Sequence, residues 1–175
     1  RIIKLVRNGL IEPRVRRLVM RNAARPDLTF TATSATGINR DQGFLATDVG
    51  RLLRFQGGDG AWREYEIRTR ISATQVTARL KGEPLLDLKG TTQWRLGYWS
   101  DTTGWPMVGD FFEDRLWLGG SIEAPDLICG SVTGSYEEFK QTDSQGEVLD
   151  DNALALRLNS RKMSRIMWLS SDTGG

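Results

Sequence analysis

Turn-forming residues divide the chain from Leu28 onward into short segments, and this spacing constrains the fold more than any other feature of the sequence. Clusters of Gly, Asp, Asn and Ser recur between segments of about five to eight residues in which apolar and polar side chains tend to alternate, a pattern typical of all-β domains. We predict strands at residues 28–33, 51–56, 61–70, 75–80, 92–97, 115–119, 127–131, 153–158 and 163–169. The spacing is compatible with blades of a β-propeller or with a sandwich, and it does not choose between them.

One pair of these strands is predicted to form a hairpin. Residues 51–56 and 61–70 flank the sequence Gly57-Gly58-Asp59-Gly60, whose glycines adopt positive φ at little cost. In the second arm Trp62 and Glu64 share one face with Glu66 and Arg68, so that face mixes aromatic and charged side chains. Such mixing suits a strand of a small barrel or a strand at an assembly contact.

The sequence suggests three regions. Residues 1–42 form a basic N-terminal segment of unclear structure, residues 43–90 a small β-barrel, and residues 91–175 a partial β-propeller-like sheet domain. The connector at residues 81–90, which contains Gly82, Pro84 and Gly90, is the candidate boundary. Within the first region, residues 14–25 fit a helix that begins after Pro13 and nearly as well a short basic strand.

Composition excludes several classes of site. Histidine is absent and Cys129 is the single cysteine, so an imidazole base, a disulfide and a zinc site are not expected, and we predict no cofactor. The chain has no apolar run of membrane-spanning length and no signal-peptide core. Because it begins at Arg1 and stops at Gly174-Gly175, we expect an excerpt of a longer polypeptide.

Candidate catalytic groups are few, and we predict that the chain is not an enzyme. Acidic doublets occur at residues 113–114, 137–138 and 150–151, but neighbours on a strand point to opposite faces, so turn or surface positions are favoured for them. The segment 130–134 places Ser131 between glycines without the spacing of a nucleophile elbow. Cys129 follows Leu127 and Ile128 and is expected to be buried.

Basic residues are concentrated at the start of the chain. Residues 1–25 carry eight basic side chains and one acid, a local charge of +7, so that the other 150 residues carry −5 of the total of +2. The basic segment could face DNA phosphates, an acidic neighbouring subunit or plain solvent, and Arg14, Arg16, Arg17 and Arg21 are the candidates for such a contact. We favour the subunit because the rest of the same chain is acidic and because residues 1–25 lack the aromatic side chains that stack on bases.

Aromatic residues are concentrated in the second half. Ten of the fifteen lie in the last 82 positions, a density that suits sheets packed face to face. Four of them, Trp94, Trp99, Trp105 and Trp117, are our candidates for interface or packing anchors.

Two stretches of the chain resemble phage tail proteins. Residues 44–54, which read Phe-Leu-Ala-Thr-Asp-Val-Gly-Arg-Leu-Leu-Arg, together with Trp62 and Ile67, resemble the small β-barrel insert that is often likened to the half-domain of ubiquitin-activating enzymes. The order of the motifs at residues 94–100, 104–106 and 111–121, continued at residues 125, 130–131 and 134–139, is similar to that of the nozzle, or tail tubular, proteins of short-tailed phages. The resemblance covers roughly residues 43–169 and carries no active-site motif.

The resemblance implies a structural role. It implies a virion protein of the bacteriophage tail with β-propeller-like domains, assembled as a homo-oligomeric ring of six copies that encloses the DNA-ejection conduit. The expected partners are other copies of the chain, a portal or adaptor, further tail proteins and, non-specifically, the genomic DNA. Known nozzles are much longer, so this chain would hold part of a propeller and would need neighbouring sequence or subunits to cover its sheet edges.

Two functions of other classes remain open at this point. One is a tail-associated host-surface or glycan-binding module in which exposed tryptophans stack on sugar rings. The other is a carboxylate-dependent glycan hydrolase built on two acids about 5 to 10 Å apart.

Overall fold

The computed structural model describes residues 3–5, 11–14, 27–81, 90–159 and 165–171. Within these residues the chain forms eleven β-strands, one short 3-10 turn at Ala46–Asp48 and no α-helix. The prediction of an all-β protein is therefore confirmed. The ambiguous segment at residues 14–25 lies outside the described residues except for Arg14, which ends a strand.

The chain divides into two compact units. We call residues 3–102 the N-terminal unit and residues 103–171 the C-terminal unit. The division lies after the predicted connector at residues 81–90, of which residues 82–89 fall outside the described chain. Its position has a structural reason, because the strand that follows the connector, Trp94–Gly97, pairs with Leu52–Gln56 in the first sheet.

The N-terminal unit contains one antiparallel sheet of seven strands. They are β1 (Ile3–Leu5), β2 (Ile11–Arg14), β3 (Asp27–Ala32), β4 (Leu52–Gln56), β5 (Trp62–Ser72), β6 (Gln75–Lys81) and β7 (Trp94–Gly97). Their order in the sheet is β1-β7-β4-β5-β6-β3-β2, so β1 and β2 stand at opposite ends. The predicted hairpin is confirmed, since β4 pairs with β5 along its whole length.

The sheet is open, so the predicted small β-barrel is wrong in that its described strands do not close. The two end strands are too short for an extended closing ladder, with three residues in β1 and four in β2. In addition, β2 contains Pro13, whose backbone nitrogen has no hydrogen to donate. The membership also differs from the prediction, because β3 pairs with β6 although it was assigned to the basic segment.

A single apolar core lies on one face of this sheet. It follows the alternation of the strands, which places Leu53, Phe55, Tyr65 and Ile67 on the same side. The remaining core residues come from the other strands and from the loop before β4, and they include Phe30, Ile38, Phe44, Val76, Ala78, Trp94 and Leu96.

A buried ion pair holds the long loop that joins β3 to β4. Asp48 and Arg51 are both almost fully buried, and Arg51 Nη1 donates to Asp48 Oδ1 over 2.8 Å. Arg51 also donates through Nε to the carbonyl of Gly97 at 2.6 Å and through Nη1 to Asn39 Oδ1 at 2.8 Å. The pair therefore connects the loop to the end of β7.

The carboxylate of Asp48 is surrounded by donors. Besides Arg51, Oδ1 accepts a bond from the Thr102 hydroxyl at 2.8 Å. Oδ2 accepts from Asn39 Nδ2 at 2.6 Å and from the backbone N–H of Leu45 at 2.8 Å. The network joins Asp48 to residues on both sides of it in the sequence, Asn39 and Thr102, and so has a structural task.

Tyr65 carries a buried hydroxyl that has no hydrogen-bond partner among the described residues. Burial raises the pKa of Tyr65 to about 12, and its ring packs edge-on against Phe30 with centroids 4.8 Å apart. We expect Tyr65→Phe to raise the free energy of unfolding by about 1 kcal/mol, because it removes an unsatisfied polar atom and keeps the ring. Urea unfolding measures this change, and Tyr65→Leu, which also loses the ring contact, should instead be destabilised. Equal losses of unfolding free energy in both variants would show that the Tyr65 hydroxyl is not an unsatisfied polar group.

The C-terminal unit contains one antiparallel sheet of four strands. They are β8 (Val108–Phe112), β9 (Arg115–Gly119), β10 (Leu127–Gly130) and β11 (Leu154–Arg157), in the order β11-β10-β9-β8. The strand predicted at residues 163–169 is wrong for its described part, since residues 165–171 run as non-strand chain. This segment follows the sheet through separate contacts and does not join its ladder.

Candidate assembly surface

One face of the four-stranded sheet carries large apolar side chains. The register pairs Asp110 with Trp117 and Ile128 with Leu156, so these side chains project from the same side of the sheet. Trp117 also lies opposite Gly130 on β10, which places its ring on that side. We call this side the cleft face.

A cleft of about 400 Å³ lies on the cleft face. The exposed area of its walls is mostly apolar and comes from Phe112, Trp117, Ile128, Leu156 and Leu169, while Asp110, Ser170 and Ser171 complete the lining.

The Trp117 ring is fixed in place at the cleft. A Cβ atom added at Gly130 would lie 3.2 Å from that ring, so the indole lies directly across the glycine. Its Nε1 donates to the carbonyl of Phe112 at 3.1 Å. The ring is therefore a rigid part of the cleft.

The segment 165–171 forms one side of the cleft and is attached to the unit at both of its ends. At one end Ile166 is buried and its N–H donates to the carbonyl of Pro125 at 2.9 Å. Gly120, at φ 73°, allows this approach, since a Cβ there would come within 2.4 Å of the Ile166 carbonyl oxygen. At the other end the N–H of Ser171 donates to Asp110 Oδ2 at 2.5 Å.

Asp110 has both carboxylate oxygens in use. Oδ2 binds the N–H of Ser171, and Oδ1 accepts from the N–H of Phe111 at 2.9 Å. The bond from Ser171, followed by that from Phe111, lowers the pKa of Asp110. The single carboxylate on the cleft wall therefore serves to anchor the segment 165–171.

Two large apolar residues of this segment point into solvent. Met167 is 70% exposed and Trp168 is 75% exposed, whereas their neighbours Ile166 and Leu169 face the unit. Arg165, just before them, is also exposed. We call Met167 and Trp168 together the apolar knob.

The turn between β8 and β9 presents two acids next to the cleft. Glu113 and Asp114 have φ angles of 48° and 54°, a left-handed conformation that residues other than glycine seldom adopt. Loop contacts stabilise the turn, because the carbonyl of Asp114 accepts from the N–H of Gly134 at 2.7 Å. Both acidic side chains are exposed.

Arg115 ties two loops to the sheet at the other end of this turn. Its Nη1 donates to the carbonyls of Ser131 and Asn152 at 2.5 and 2.7 Å, and its Nη2 donates to the carbonyl of Asp150 at 2.9 Å. The Ser131 hydroxyl is buried nearby, where it accepts from the N–H of Leu116 and donates to the carbonyl of Val132. The serine weighed as a nucleophile is thus part of the internal packing.

The four predicted tryptophan anchors occupy different environments. Trp94 and Trp99 are buried in the N-terminal unit. In the C-terminal unit Trp117 is half-buried at the cleft, and Trp105 is 47% exposed. Only Trp117 lies at the cleft, so the structure does not bring the four together in one site.

The predicted basic contact lies mainly outside the described residues. Arg14 is the last residue of β2, and Arg16, Arg17 and Arg21 lie outside the described residues. A different arginine pair is visible on the sheet of the N-terminal unit. Arg54 and Arg95 lie opposite each other on β4 and β7, and their guanidinium carbons lie 5.4 and 4.8 Å from the ring centroid of Trp62.

The acidic doublets do not form a metal site. Within the described residues no three His, Cys, Asp or Glu side chains are close enough to hold a metal ion. Glu138 is paired with Lys140, and the carbonyls of Asp150 and Asp151 accept bonds from Arg115 and Thr133.

Cys129 is buried, as the sequence predicts, and burial raises its pKa to about 12.

No helix in the described part of the chain is long and apolar enough to cross a membrane.

Comparison with known proteins adds no family to these observations. No protein-family model matches the chain, and no curated protein is significantly similar to it.

Sequence reasoning missed the apolar knob and the cleft. The strand predicted at residues 163–169 would have turned Met167 and Trp168 to opposite faces, leaving only one of them in solvent. The adjacent pair Met167-Trp168 could have been noticed as two bulky side chains that one sheet face cannot accept together. The cleft itself depends on the return of residues 165–171 to Asp110 on β8, a contact that no local signal indicates.

Proposed function

We propose that the chain is a structural component of a bacteriophage tail, a nozzle or tail tube ring that forms part of the DNA-ejection conduit by homo-oligomerisation. One observation carries the self-association. Of the fifteen large apolar side chains exposed among the described residues, thirteen lie in the C-terminal unit. Several of them, among them Leu156, Phe112 and Leu154, lie on the cleft face of one sheet, and large apolar patches exposed on a protein surface are typical of interaction sites.

The architecture of the C-terminal unit supports the same proposal. Its strands follow one another as a four-stranded antiparallel meander, which is the composition of a single propeller blade. A lone sheet of this kind leaves two edge strands, β8 and β11, with backbone groups available for pairing. Copies arranged head to tail would cover both the edges and the apolar face, and a head-to-tail contact that closes generates a ring.

The tail assignment comes from the resemblance in residues 43–169 to nozzle and tail tubular proteins. The charge distribution supports it, because residues 1–25 carry +7 and the rest of the chain −5. Arg14, Arg16, Arg17 and Arg21 are proposed to contact an acidic neighbouring subunit or the DNA in the conduit. A portal or adaptor and other tail proteins are the proposed partners above and below the ring.

Electron microscopy of native particles tests this proposal. We expect density for this chain in the tail, arranged as a closed ring of six copies around a central channel. Native mass spectrometry of the purified protein supplies the corresponding copy number in solution. A monomer that is missing from purified virions would overturn the proposal.

A glycan-binding module of the tail is the second candidate, favoured by a specific aromatic surface. Phe111 and Tyr136 are both exposed and pack edge to face with ring centroids 5.0 Å apart, and Trp105 is exposed in the same unit. Aromatic faces of this kind stack on sugar rings. Binding of the isolated monomer to a glycan array, lost in Trp105→Ala or Tyr136→Ala, would favour this function over the structural one.

A further inference from the structure

We infer that the apolar knob of one copy inserts into the cleft of the next copy and so forms the head-to-tail contact of the ring. This inference rests on the proposed self-association and names the surfaces that carry it. The knob consists of Met167 and Trp168, and the cleft is lined by Phe112, Trp117, Ile128, Leu156 and Leu169.

The two surfaces match in chemistry. A knob with side chains 70% and 75% exposed leaves large apolar area in water, and burying one tryptophan removes about 150–250 Å² of it. The cleft offers about 400 Å³ between apolar walls, and Trp117 forms a rigid ring surface in it. Trp168 does not fill the cleft of its own copy, because it remains exposed although Leu169 lines that cleft.

The polar groups of the cleft favour a protein side chain over a small ligand. Small-molecule sites orient their ligand through a few convergent polar groups. Here the polar lining consists of Asp110, Ser170 and Ser171. Both oxygens of Asp110 accept from the backbone N–H groups of Phe111 and Ser171, and the Ser170 hydroxyl donates to the carbonyl of Ser171. The side chain of Trp168 suits this cleft, because it is apolar apart from its indole nitrogen, which would lie near the rim.

Charges beside the two surfaces are complementary. Arg165 precedes the knob and is exposed, while Glu113 and Asp114 are exposed at the turn that follows the cleft residue Phe112. When the knob of one copy enters the cleft of another, Arg165 approaches the acidic turn of that copy. Opposite charges at the rim of an interface fix its orientation and speed association.

The knob alone is too small for a stable interface. Stable complexes bury about 800 Å² on each partner, so a tryptophan and a methionine provide only part of that area. Leu154, another exposed apolar side chain on the cleft face, extends the contact beyond the lining of the cleft. The knob is therefore the proposed central anchor, the position at which interface energy is usually concentrated.

A complementation experiment tests the inference. Trp168→Glu removes the knob and keeps the cleft, while Leu156→Glu blocks the cleft and keeps the knob. Leu156 is about half exposed, so the substitution leaves the packing of the unit intact. Val148→Glu, at an apolar position outside both surfaces that is as exposed as Trp168, is the matched control.

Native mass spectrometry and sedimentation velocity give the readout. We expect the wild-type protein and Val148→Glu to form the ring, and each interface variant alone to sediment as a monomer. A mixture of the two variants should form a one-to-one dimer that grows no further, because it contains a single intact knob and cleft.

The alternative outcomes are distinguishable. If the wild-type protein forms rings and both interface variants do so as well, the inference is overturned and the proposed function stands. If the wild-type protein is itself a monomer, both are overturned, and a wild-type dimer that grows no further overturns the head-to-tail arrangement. As a second test, Arg165→Glu should weaken the ring, and mixing it with Glu113→Lys/Asp114→Lys should restore association; failure of that rescue contradicts the proposed orientation.

Discussion

Asp48→Asn is expected to lower the free energy of unfolding of the protein by about 3–5 kcal/mol, although the two side chains have the same shape. The carboxylate balances the buried charge of Arg51, and its two oxygens accept four hydrogen bonds. An asparagine leaves the guanidinium without a counter-ion. Its NH₂ group would face the N–H donors of Asn39 and Leu45 in one orientation of the amide and the Arg51 guanidinium in the other.

Urea unfolding and hydrogen exchange of the loop between β3 and β4 measure this effect. Asp59→Asn is the matched control, because it makes the same chemical change in an exposed turn. Asp59 is paired there with Arg63, whose hydrogen bond is the main cause that lowers the pKa of Asp59 to about 2. We expect a smaller loss for the control, since Asp59 lies in a turn open to solvent, which screens its pair with Arg63. Similar losses for the two variants would show that the Asp48 network does not stabilise the loop.

Arg115→Met is expected to destabilise the C-terminal unit by about 3 kcal/mol or more, because three backbone carbonyls lose their charged donor at once. These carbonyls belong to Ser131, Asp150 and Asn152, so both loops attached to the sheet should loosen. The stability of Arg115→Lys should fall between that of Arg115→Met and that of the wild type. An ammonium keeps the charge but does not reproduce the planar fork of the guanidinium.

Hydrogen exchange of residues 131–139 and 150–153 provides the local measurement for Arg115. Arg157→Met is the control in the same sheet, where the arginine is exposed and paired with Asp126. We expect a change of less than about 1 kcal/mol there, in line with other exposed ion pairs. If the hydrogen-exchange rates of both loops are unchanged in Arg115→Met, Arg115 does not hold these loops to the sheet.

Local patterns predicted the strands well where one face of a strand is buried. The alternation in residues 75–80 corresponds to β6, in which Val76 and Ala78 face the core at every second position. The pattern was misleading at residues 163–169, where Ile166 and Leu169 face the unit without any strand pairing. It also gave no prediction of β8, whose side chains are half-buried or exposed.

Long-range pairing was not predictable from the sequence. The connector at residues 81–90 carries the glycines and the proline of a domain boundary, yet β7 returns after it to pair with β4. The same limitation applies to the ion pair of Asp48, whose partners include Gly97 and Thr102, far along the chain. Such contacts depend on which strands become neighbours in the sheet, and turn signals do not specify that choice.

The sequence by itself determined the class of the protein and the chemistry that it lacks. Short alternating segments between turns require sheets, and a chain without histidine and with one cysteine excludes the commonest metal ligands and bases. Tertiary structure alone decided that the first sheet stays open and that Trp117, Ile128 and Leu156 line one cleft while Trp168 remains in solvent. The physical reason is that alternation specifies which side chains share a face of one strand, whereas the cleft and the exposed knob depend on how residues 165–171, which belong to no strand, return to the sheet.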